Sequence, residues 1–373
     1  MANKLKVCSG LIAVIQGDSN MGADIVGKYY SRDWLTIQEW SQEELQTLID
    51  AAIAIKKLQK ARRPHDYLPR QTLFMIFFNR SLRTRNSFEA GMTQMGGHAH
   101  FLSPQDVYRP ALPDDEEAYT SERISDVARV LARMGDAIAI RIYGSHAKWI
   151  YGRGHRILRE FAKWSDIPII NMEDDVYHPC QAMADMQAIQ EHSPKVQGKK
   201  FVMSWAYSPS TQKPLAVPQS GILMGTKWGM DTVLAHPKGF ELDPKIIEMC
   251  EKNVAEYGGS FEITNDMEEA FAGAHYVYPK CWTSKHHIPP IAPAEDWEGA
   301  KKLFEANKDW IATPAKMDLG AKGVKYMHCL PADRGFEVAD EVLDGKRSIA
   351  FDEAENRLHA QKAIMAAIMG QPK

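Results

Sequence analysis

The feature that most constrains the fold of this chain is a regular alternation of short apolar runs with amphipathic stretches, which begins at Thr72. A strand followed by a helix, repeated several times, predicts a parallel sheet with helices on both faces. The first series has predicted strands at Thr72–Phe78, His98–Leu102, Asp136–Ile142 and Pro168–Met172, and helices around Ser87–Met95, Ser121–Met134 and Gly154–Trp164. This pattern indicates an α/β unit.

A second series of the same kind follows Gly198 and Lys199. Its predicted strands are Lys200–Trp205, Asp231–His236, Ser260–Thr264, His275–Tyr278 and Lys325–Cys329, and a long last helix is predicted near Glu353–Met369. A predicted helix over His178–His192 connects the two series. The chain has 373 residues, well above the ~150 of an average domain. We therefore predict two α/β domains with a boundary near residues 180–195.

Composition excludes several classes of protein. The formal net charge of −3 leaves no basic field that could hold a nucleic acid. The five cysteines show no CxxC pairing, which favours a reducing compartment. No stretch approaches the ~20 apolar residues of a membrane span. We expect a cytoplasmic protein that binds neither nucleic acid nor membranes.

A cluster of polar residues follows the first predicted strand and leads into a helix. It contains hydroxyls at Ser81 and Thr84 and guanidinium groups at Arg83 and Arg85. A helix start has free backbone N–H groups and a positive dipole end, so this turn is suited to bind a phosphate. The alternative is a solvated basic turn. No Walker A or GxGxxG motif follows any strand, which disfavours a nucleotide triphosphate or an NAD-linked dehydrogenase.

Three more clusters lie at strand ends, where open α/β sheets bind their ligands. Arg141 ends an apolar strand and must either be paired or face a site. His178 and Gln181 share one helix face, although a helix-capping histidine is the commoner explanation. Cys329 follows His328, but no general base accompanies it at readable spacing, so a buried thiol is favoured over a nucleophile. Arg357, at the start of the last helix, either reaches back to this cleft or is a solvated helix-end charge.

Taken in order, these motifs resemble one known set. Ser81-Leu82-Arg83-Thr84-Arg85, Arg141, His178-Pro179-Cys180-Gln181 and His328-Cys329-Leu330-Pro331 are similar to the motifs of the aspartate/ornithine carbamoyltransferase superfamily, and the likeness covers roughly residues 40–370. The resemblance implies a carbamoyl-phosphate domain over residues 35–180, on which a terminal helix at about 353–370 packs back. It also implies an amino-acceptor domain over 181–352 and a homotrimer with shared active sites. HCLP is closer to the ornithine side of the superfamily.

The proline-rich segment Lys213–Pro218 resembles a knotted subgroup of this superfamily. The fold class that we expect is therefore two doubly wound parallel-sheet α/β domains with a deep trefoil knot in the C-terminal domain. The implied carbamoyl transfer needs neither a cofactor nor a metal, and His286-His287 has no other metal-ligating residues near it in the sequence.

The resemblance also implies roles for individual residues. For carbamoyl phosphate the candidates are Ser81, Leu82, Arg83, Thr84, Arg141, His178, Gln181 and Arg357. The catalytic candidates are Arg141, His178, Thr84 and Cys329. For the amino acceptor they are Glu173, Lys280, Cys329, Leu330 and Arg334.

The identity of the acceptor is the open part of the resemblance. N-acetyl-L-ornithine is the first expectation. The alternatives are a ureidoglycine-type acceptor or a carbamoyltransferase-like binding protein that has lost turnover. Asp333 stands where acylornithine enzymes tend to carry an arginine, and Asp106-Val107-Tyr108-Arg109 lacks the tryptophan expected in a loop that reaches a neighbouring site.

Overall fold

The computed structural model describes residues 22–104 and 107–372 of the chain. The first half contains α1 (Gln42–Lys60), β1 (Thr72–Phe77), α2 (Leu82–Gln94), β2 (His98–Leu102), β3 (Arg109–Ala111), β4 (Ser121–Arg123), α3 (Ile124–Leu131), β5 (Ala137–Arg141), α4 (Arg153–Trp164), β6 (Ile169–Glu173) and α5 (Pro179–His192). The second half contains β7 (Lys200–Trp205), α6 (Ala216–Lys227), β8 (Asp231–Ala235), α7 (Pro244–Tyr257), β9 (Ser260–Thr264), α8 (Met267–Phe271), β10 (Tyr276–Lys280), α9 (Trp297–Glu305), α10 (Pro314–Met317), β11 (Lys325–Tyr326), α11 (Asp340–Leu343) and α12 (Ala350–Met369). The two α/β domains predicted from the alternation are present, each with its own parallel sheet.

The first sheet has the strand order β2-β1-β5-β6, and all its pairings are parallel. Strand β5 is buried along its whole length, which explains its nearly continuous apolar sequence. The register aligns Phe77 with Arg141, and Arg141 with Glu173. The carboxyl ends of three neighbouring strands therefore meet, so the residues that follow them share one edge of the sheet.

The second sheet has the order β11-β10-β7-β8-β9 and is also parallel throughout. Lys280 is the last residue of β10 and pairs in register with Trp205 at the end of β7. Helix α6 packs against α5 and α7. Cys329 and Leu330 follow β11, so this sheet also presents polar groups at its carboxyl edge.

The last helix, α12, crosses back onto the first half of the chain. It packs against α1, α2 and α5 and is buried for most of its length. Gln361 and Lys362, within this helix, are fully buried. Helix α12 is thus part of the core of the first domain.

Three predicted element boundaries are corrected by the structure. Helix α2 begins at Leu82 rather than near Ser87, because Ser81 caps it and its hydroxyl accepts from the Thr84 amide at 3.2 Å. The segment predicted as one helix over Ser121–Met134 is divided into β4 and α3. The strand predicted over Lys325–Cys329 ends at Tyr326, because the His328 amide turns away from β10 and donates to Glu353 at 2.9 Å.

Within the described ranges, no helix is long and apolar enough to span a bilayer. The same part of the chain contains no group of three or more His, Cys, Asp or Glu side chains placed to hold a metal ion.

Candidate active site

A cavity of about 450 Å³ lies where the carboxyl ends of the two sheets face each other. Every residue to which the resemblance gave a role lines it except Arg334. Arg85, which the sequence also placed in the phosphate-binding turn, lies outside this lining and forms an ion pair with Glu89 at 3.1 Å. The lining is Arg80, Ser81, Leu82, Arg83, Thr84, Arg141, Tyr143, Glu173, His178, Gln181, Gln212, Lys213, Pro214, Val217, Lys280, Cys329, Leu330, Pro331 and Arg357. The tertiary structure thus unites motifs that are separated by more than two hundred residues in the sequence.

One end of the cavity is the start of helix α2. The Ser81 cap leaves the first backbone N–H groups of the helix at the cavity wall, and Arg83 lies in the same turn. The turn is tied to the end of β5, because Asn79 Oδ1 accepts from the Tyr143 amide at 2.9 Å and Asn79 Nδ2 donates to the Tyr143 carbonyl at 3.2 Å. This end combines a positive dipole, free amides and guanidinium charge, which is the chemistry of a phosphate site.

Arg357 joins this end from helix α12. Its Nη2 donates to Thr84 Oγ1 at 2.9 Å, and its Nη1 donates to Gln181 Oε1 at 2.8 Å. Arg357 is 2% exposed, so it is not a solvated helix-end charge. Its guanidinium links the starts of α2 and α5 at the wall of the cavity.

Arg141 is also buried and forms an ion pair with Glu173, its neighbour on β6. Its Nη2 donates to the Tyr143 hydroxyl at 3.0 Å, while its Nε has no hydrogen-bond partner among the described residues. Burial raises the pKa of Glu173, and the Arg141 guanidinium opposes that rise. The sequence predicted that Arg141 is either paired or faces a site. The structure shows both, because Arg141 and Glu173 form an ion pair and both line the cavity.

His178 precedes helix α5 without capping it through its side chain. Its amide donates to Ser220 Oγ on α6 at 2.7 Å, and its Nε2 lies 3.4 Å from Glu173 Oε2. Burial, reinforced by Arg357 and Arg141, lowers the pKa of His178 well below its ordinary value. The imidazole is therefore neutral at physiological pH, and its buried Nδ1 has no hydrogen-bond partner within the part of the chain that the structure describes.

A pair of buried carboxyl groups lies behind Gln181. Gln181 Nε2 donates to Asp185 Oδ1 at 2.6 Å and lies 3.5 Å from Glu353 Oε1. Burial and the neighbouring Asp185 raise the pKa of Glu353 well above its ordinary value, while burial raises that of Asp185 to about 6. The pair holds a proton at neutral pH, so the two carboxyls can lie side by side without mutual repulsion.

The second domain contributes the turn after β11. The Leu330 amide donates to His328 Nδ1 at 2.9 Å, which fixes the position of this turn. Burial raises the pKa of the Cys329 thiol, so a thiolate nucleophile is disfavoured at neutral pH. The turn offers a thiol and backbone groups to the cavity.

Two lysines complete the second-domain wall. Lys280 Nζ donates to Glu337 Oε1 at 3.0 Å, and Lys213 Nζ donates to Asp333 Oδ2 at 2.9 Å. The Ser208 hydroxyl also donates to Asp333 Oδ2, at 2.6 Å. Asp333 thus holds the proline-rich loop against the turn after β11. Both lysines lie on the second-domain side of the cavity and make that side positively charged.

Arg334 is not brought into the cavity, which corrects its expected role as an acceptor contact. Its guanidinium lies at the surface and forms ion pairs with Asp340 and Asp344, both within 2.7 Å. The side chain of Asp333, one residue earlier, instead points towards Lys213 and accepts its hydrogen bond. Asp106, in the loop that lacks the expected tryptophan, lies outside the described residues.

Family models match both halves of the chain. Residues 32–191 match the aspartate/ornithine carbamoyltransferase, carbamoyl-P binding domain, and residues 215–368 match the Asp/Orn binding domain of the same family. The chain belongs to the aspartate/ornithine carbamoyltransferase family. It is 39% identical over 350 residues to an N-acetylornithine carbamoyltransferase of Xanthomonas campestris pv. campestris, with 92% of this chain and 99% of the relative covered. It is 40% identical over 339 residues to an ornithine carbamoyltransferase of Thermococcus kodakarensis, with 91% and 96% covered.

Solved structures show the same family. An acetylornithine transcarbamylase complexed with acetylcitrulline has a TM-score of 0.84 and 37% identity, and the match covers 91% of this chain and 100% of that one. A variant N-acetyl-L-ornithine transcarbamylase complexed with carbamyl phosphate and N-succinyl-L-norvaline has a TM-score of 0.83 and 38% identity, with 90% and 99% covered.

In this carbamoyltransferase, several lining residues were not identified from the sequence. They are Arg80, Tyr143, Gln212, Lys213, Pro214, Val217 and Pro331. Arg80 and Tyr143 directly flank predicted site positions, so the strand-end rule could have included them. Lys213 lies in a loop long enough to suggest function, but its partner Asp333 is 120 residues away, which no local pattern reveals.

Proposed function

We propose that this carbamoyltransferase moves the carbamoyl group of carbamoyl phosphate to the amino group of N-acetyl-L-ornithine and releases phosphate. The observation that carries the proposal is that a helix-start anion receptor from the first domain and two lysines from the second line the same cavity. The solved structures reported above are named acetylornithine transcarbamylases and resemble this chain at TM-scores of 0.83 and 0.84, which supports the choice of acceptor.

The residues suggest how the reaction is accelerated. The neutral amine attacks the carbonyl carbon, a tetrahedral species forms, the carbon–oxygen bond to phosphate breaks, and the amine proton leaves with the phosphate. Ser81, Leu82, Arg83 and Thr84 are proposed to hold the phosphate. Negative charge grows on the carbonyl oxygen and the departing phosphate, where fixed donors contribute most, about 3–4 kcal/mol for one donor.

The carbamoyl end is assigned to residues that converge beside the phosphate end. Arg141 and neutral His178 are proposed as donors to the carbonyl oxygen, and Gln181 and Arg357 as contacts to the carbamoyl group. Because His178 is uncharged, one ring nitrogen carries a proton that it can donate and the other can accept a hydrogen bond. Holding both substrates in one cavity adds the advantage of proximity.

The acceptor end is assigned to the second-domain wall and Glu173. Lys280 and Lys213 favour an acceptor with an anionic carboxylate, and Glu173 faces the point where its amine would enter. Cys329 and Leu330 offer the thiol and backbone of their turn to the same substrate. This charge pattern disfavours a simple diamine such as putrescine.

A colorimetric assay for ureido products tests the proposal. Purified protein and carbamoyl phosphate are incubated with N-acetylornithine, ornithine, N-succinylornithine, putrescine or a ureidoglycine-like acceptor. The proposal expects the highest kcat/KM with N-acetylornithine. A preference for the ureidoglycine-like compound would support that alternative. Binding of carbamoyl phosphate without product from any acceptor would favour a binding protein that has lost turnover.

Several wider features of the family are proposed on the same basis. The domains are assigned to residues 35–180 together with the terminal helix, and to 181–352. A homotrimer with shared active sites, a cytoplasmic location and a deep trefoil knot in the second domain stay predictions of the resemblance. The knot is tested by following the path of Ser208–Leu215 through the second domain in an experimental structure.

A further inference from the structure

Gln219 is a fully buried glutamine near the start of helix α6, just beyond the proline-rich segment Lys213–Pro218. Val217, on the same helix, lines the cavity, whereas Gln219 is not among the lining residues. A buried amide is costly unless its oxygen and nitrogen are hydrogen-bonded. The burial of Gln219 therefore needs a physical explanation.

Three other segments of the chain meet at the Gln219 side chain. Its Oε1 accepts from the Tyr151 hydroxyl at 3.0 Å and from the Asp243 amide at 3.2 Å. Its Nε2 donates to the Val176 carbonyl at 2.9 Å. Because a backbone N–H only donates and a carbonyl only accepts, these partners fix the orientation of the amide. Tyr151 and Val176 belong to the first half of the chain, so the side chain of Gln219 connects the two halves.

The bond to Val176 acts on the loop that leads from β6 to His178. Asp174 holds this loop from within the first half, since its Oδ1 accepts from the Val176 amide at 2.7 Å. Gln219 holds the same residue from the second half, and the neighbouring Ser220 Oγ accepts from the His178 amide at 2.7 Å. The position of the His178 ring therefore depends on how closely this loop lies against α6.

Tyr151 restrains the oxygen end of the Gln219 amide. The Lys285 ammonium lies 4.5 Å from the centre of the Tyr151 ring and 3.7 Å from Asp243 Oδ1. Burial raises the pKa of the Tyr151 hydroxyl above its ordinary value, and Asp243 adds to this rise, so the hydroxyl keeps its proton and donates to Gln219. The amide is thereby held with its nitrogen towards Val176.

We propose that Gln219 is a positioning residue of the transfer step, through which helix α6 of the second half sets the place of the His178 imidazole. Gln219 does not touch the substrates and acts through the Val176 carbonyl and the loop that follows β6. The inference rests on the proposed function, because that function makes His178 a donor to the carbonyl oxygen of the carbamoyl group.

Steady-state kinetics of Gln219→Met test the proposal, because methionine is similar in length and removes the hydrogen bonds of the amide. The kcat is expected to fall roughly 10–10²-fold, since small displacements of a group that acts on the reacting atoms are this costly. The KM for carbamoyl phosphate should stay within about threefold, because the helix-start turn at Ser81 is left intact. Gln197→Met, at an exposed position before β7, is the matched control and should leave both constants unchanged.

A double-mutant cycle with His178→Gln separates positioning from general damage. If Gln219 acts by placing His178, Gln219→Met should lower kcat by less than about threefold in the His178→Gln background. Full additivity in the cycle, or a KM for carbamoyl phosphate that rises by the factor by which kcat falls, would overturn the proposal.

A spectroscopic measurement tests the same placement without turnover. In ¹H–¹⁵N NMR spectra, assigned with His178→Gln, the ring signals of His178 should shift in Gln219→Met and stay in place in Gln197→Met. If Gln219→Met does not fold, Tyr151→Phe takes its place, because it deletes one hydroxyl and frees the oxygen end of the amide.

Unchanged His178 ring signals in the folded variant would contradict the proposal. Because this readout needs no turnover, failure of this inference is distinguishable from failure of the proposed function, which would appear as absence of ureido product from the wild type.

Discussion

Three guanidinium groups surround one buried imidazole at the first-domain end of the cavity. Arg83, Arg141 and Arg357 each lower the pKa of His178, after the larger effect of burial. Arg141 has Glu173 as a counterion, while the hydrogen bonds of Arg357 to Thr84 and Gln181 go to neutral side chains. Buried positive charge of this kind is costly to folding, so we expect an anionic ligand to bind beside it.

At the residue scale, we expect Arg83→Ala to lower kcat/KM for carbamoyl phosphate by roughly 10²–10³, which corresponds to the loss of one donor to a developing negative charge. The melting temperature should stay unchanged, because Arg83 lies in a ligand-facing turn outside the apolar core. Arg347→Ala, at a surface ion pair with Asp318, is the matched control. Wild-type turnover by Arg83→Ala would show that the phosphate binds elsewhere.

The protonation state of His178 leads to a second prediction at this scale. Its pKa lies well below the ordinary value, so the imidazole is neutral throughout the range from about pH 6.5 to 8.5. His178→Gln should therefore reduce kcat by roughly 10² or more, and by the same factor at both ends of that range. In NMR spectra of the wild type, the ring signals of His178 should not shift between these pH values. A titration near pH 6.5 would contradict the neutral-donor role.

At the scale of elements, helix α12 buries a lysine inside the first domain. Lys362 Nζ contacts His65 Nε2 at 2.9 Å and donates to Gln59 Oε1 at 3.1 Å, both neutral partners. Burial lowers the pKa of Lys362 to about 7. The packing of α12 against α1 therefore buries an amino group, and this burial disfavours the protonated form of Lys362.

This lysine makes stability depend on pH in a defined direction. Below about pH 7 the lysine is protonated in both the folded and unfolded chain, so the full penalty applies. Between about pH 7 and 10.5 the unfolded chain binds the proton more tightly, so the free energy of unfolding rises with pH. Relative to Lys362→Met, the wild type should gain about 1–4 kcal/mol between pH 7 and 10, measured by urea unfolding.

Lys301→Met, at an exposed position of α9, is the control and should show no such difference from the wild type. A wild-type minus Lys362→Met difference that is constant with pH would show that Lys362 keeps its ordinary pKa when folded.

In the whole molecule, the cavity forms because the carboxyl edges of the two sheets face each other. Helix α12 starts beside the second domain, where Glu353 accepts from the His328 amide, and it ends in the core of the first. Asp185 on α5 lies beside the same carboxyl group and raises its pKa. These contacts connect the turn after β11 to Gln181 and Arg357 through buried side chains.

The family resemblance also predicts the assembly of the whole molecule. Light scattering coupled to size-exclusion chromatography should give three times the mass of the chain, independent of protein concentration over the micromolar range. A mass equal to one chain, together with full activity, would contradict a trimer with shared sites.

The two α/β domains, the order of their strands along the chain and most residues of the cavity could be predicted from the amino-acid sequence. These features depend on local patterns: apolar runs, helix-start chemistry at Ser81 and Pro179, and the rule that ligands bind beyond strand ends. Arg141 is an example, because its place at the end of an apolar strand already required either a partner or a site.

The pairing of the charged groups, by contrast, becomes visible when the folded chain brings distant segments together. Glu337 and Arg334 lie three residues apart, yet one is buried against Lys280 and the other pairs at the surface. Lys213 meets Asp333 across the cavity wall, and Arg357 reaches Thr84 from the opposite end of the chain. A charged side chain takes its role from the groups that desolvate and pair with it, and in this fold those groups come from distant segments that no local pattern encodes.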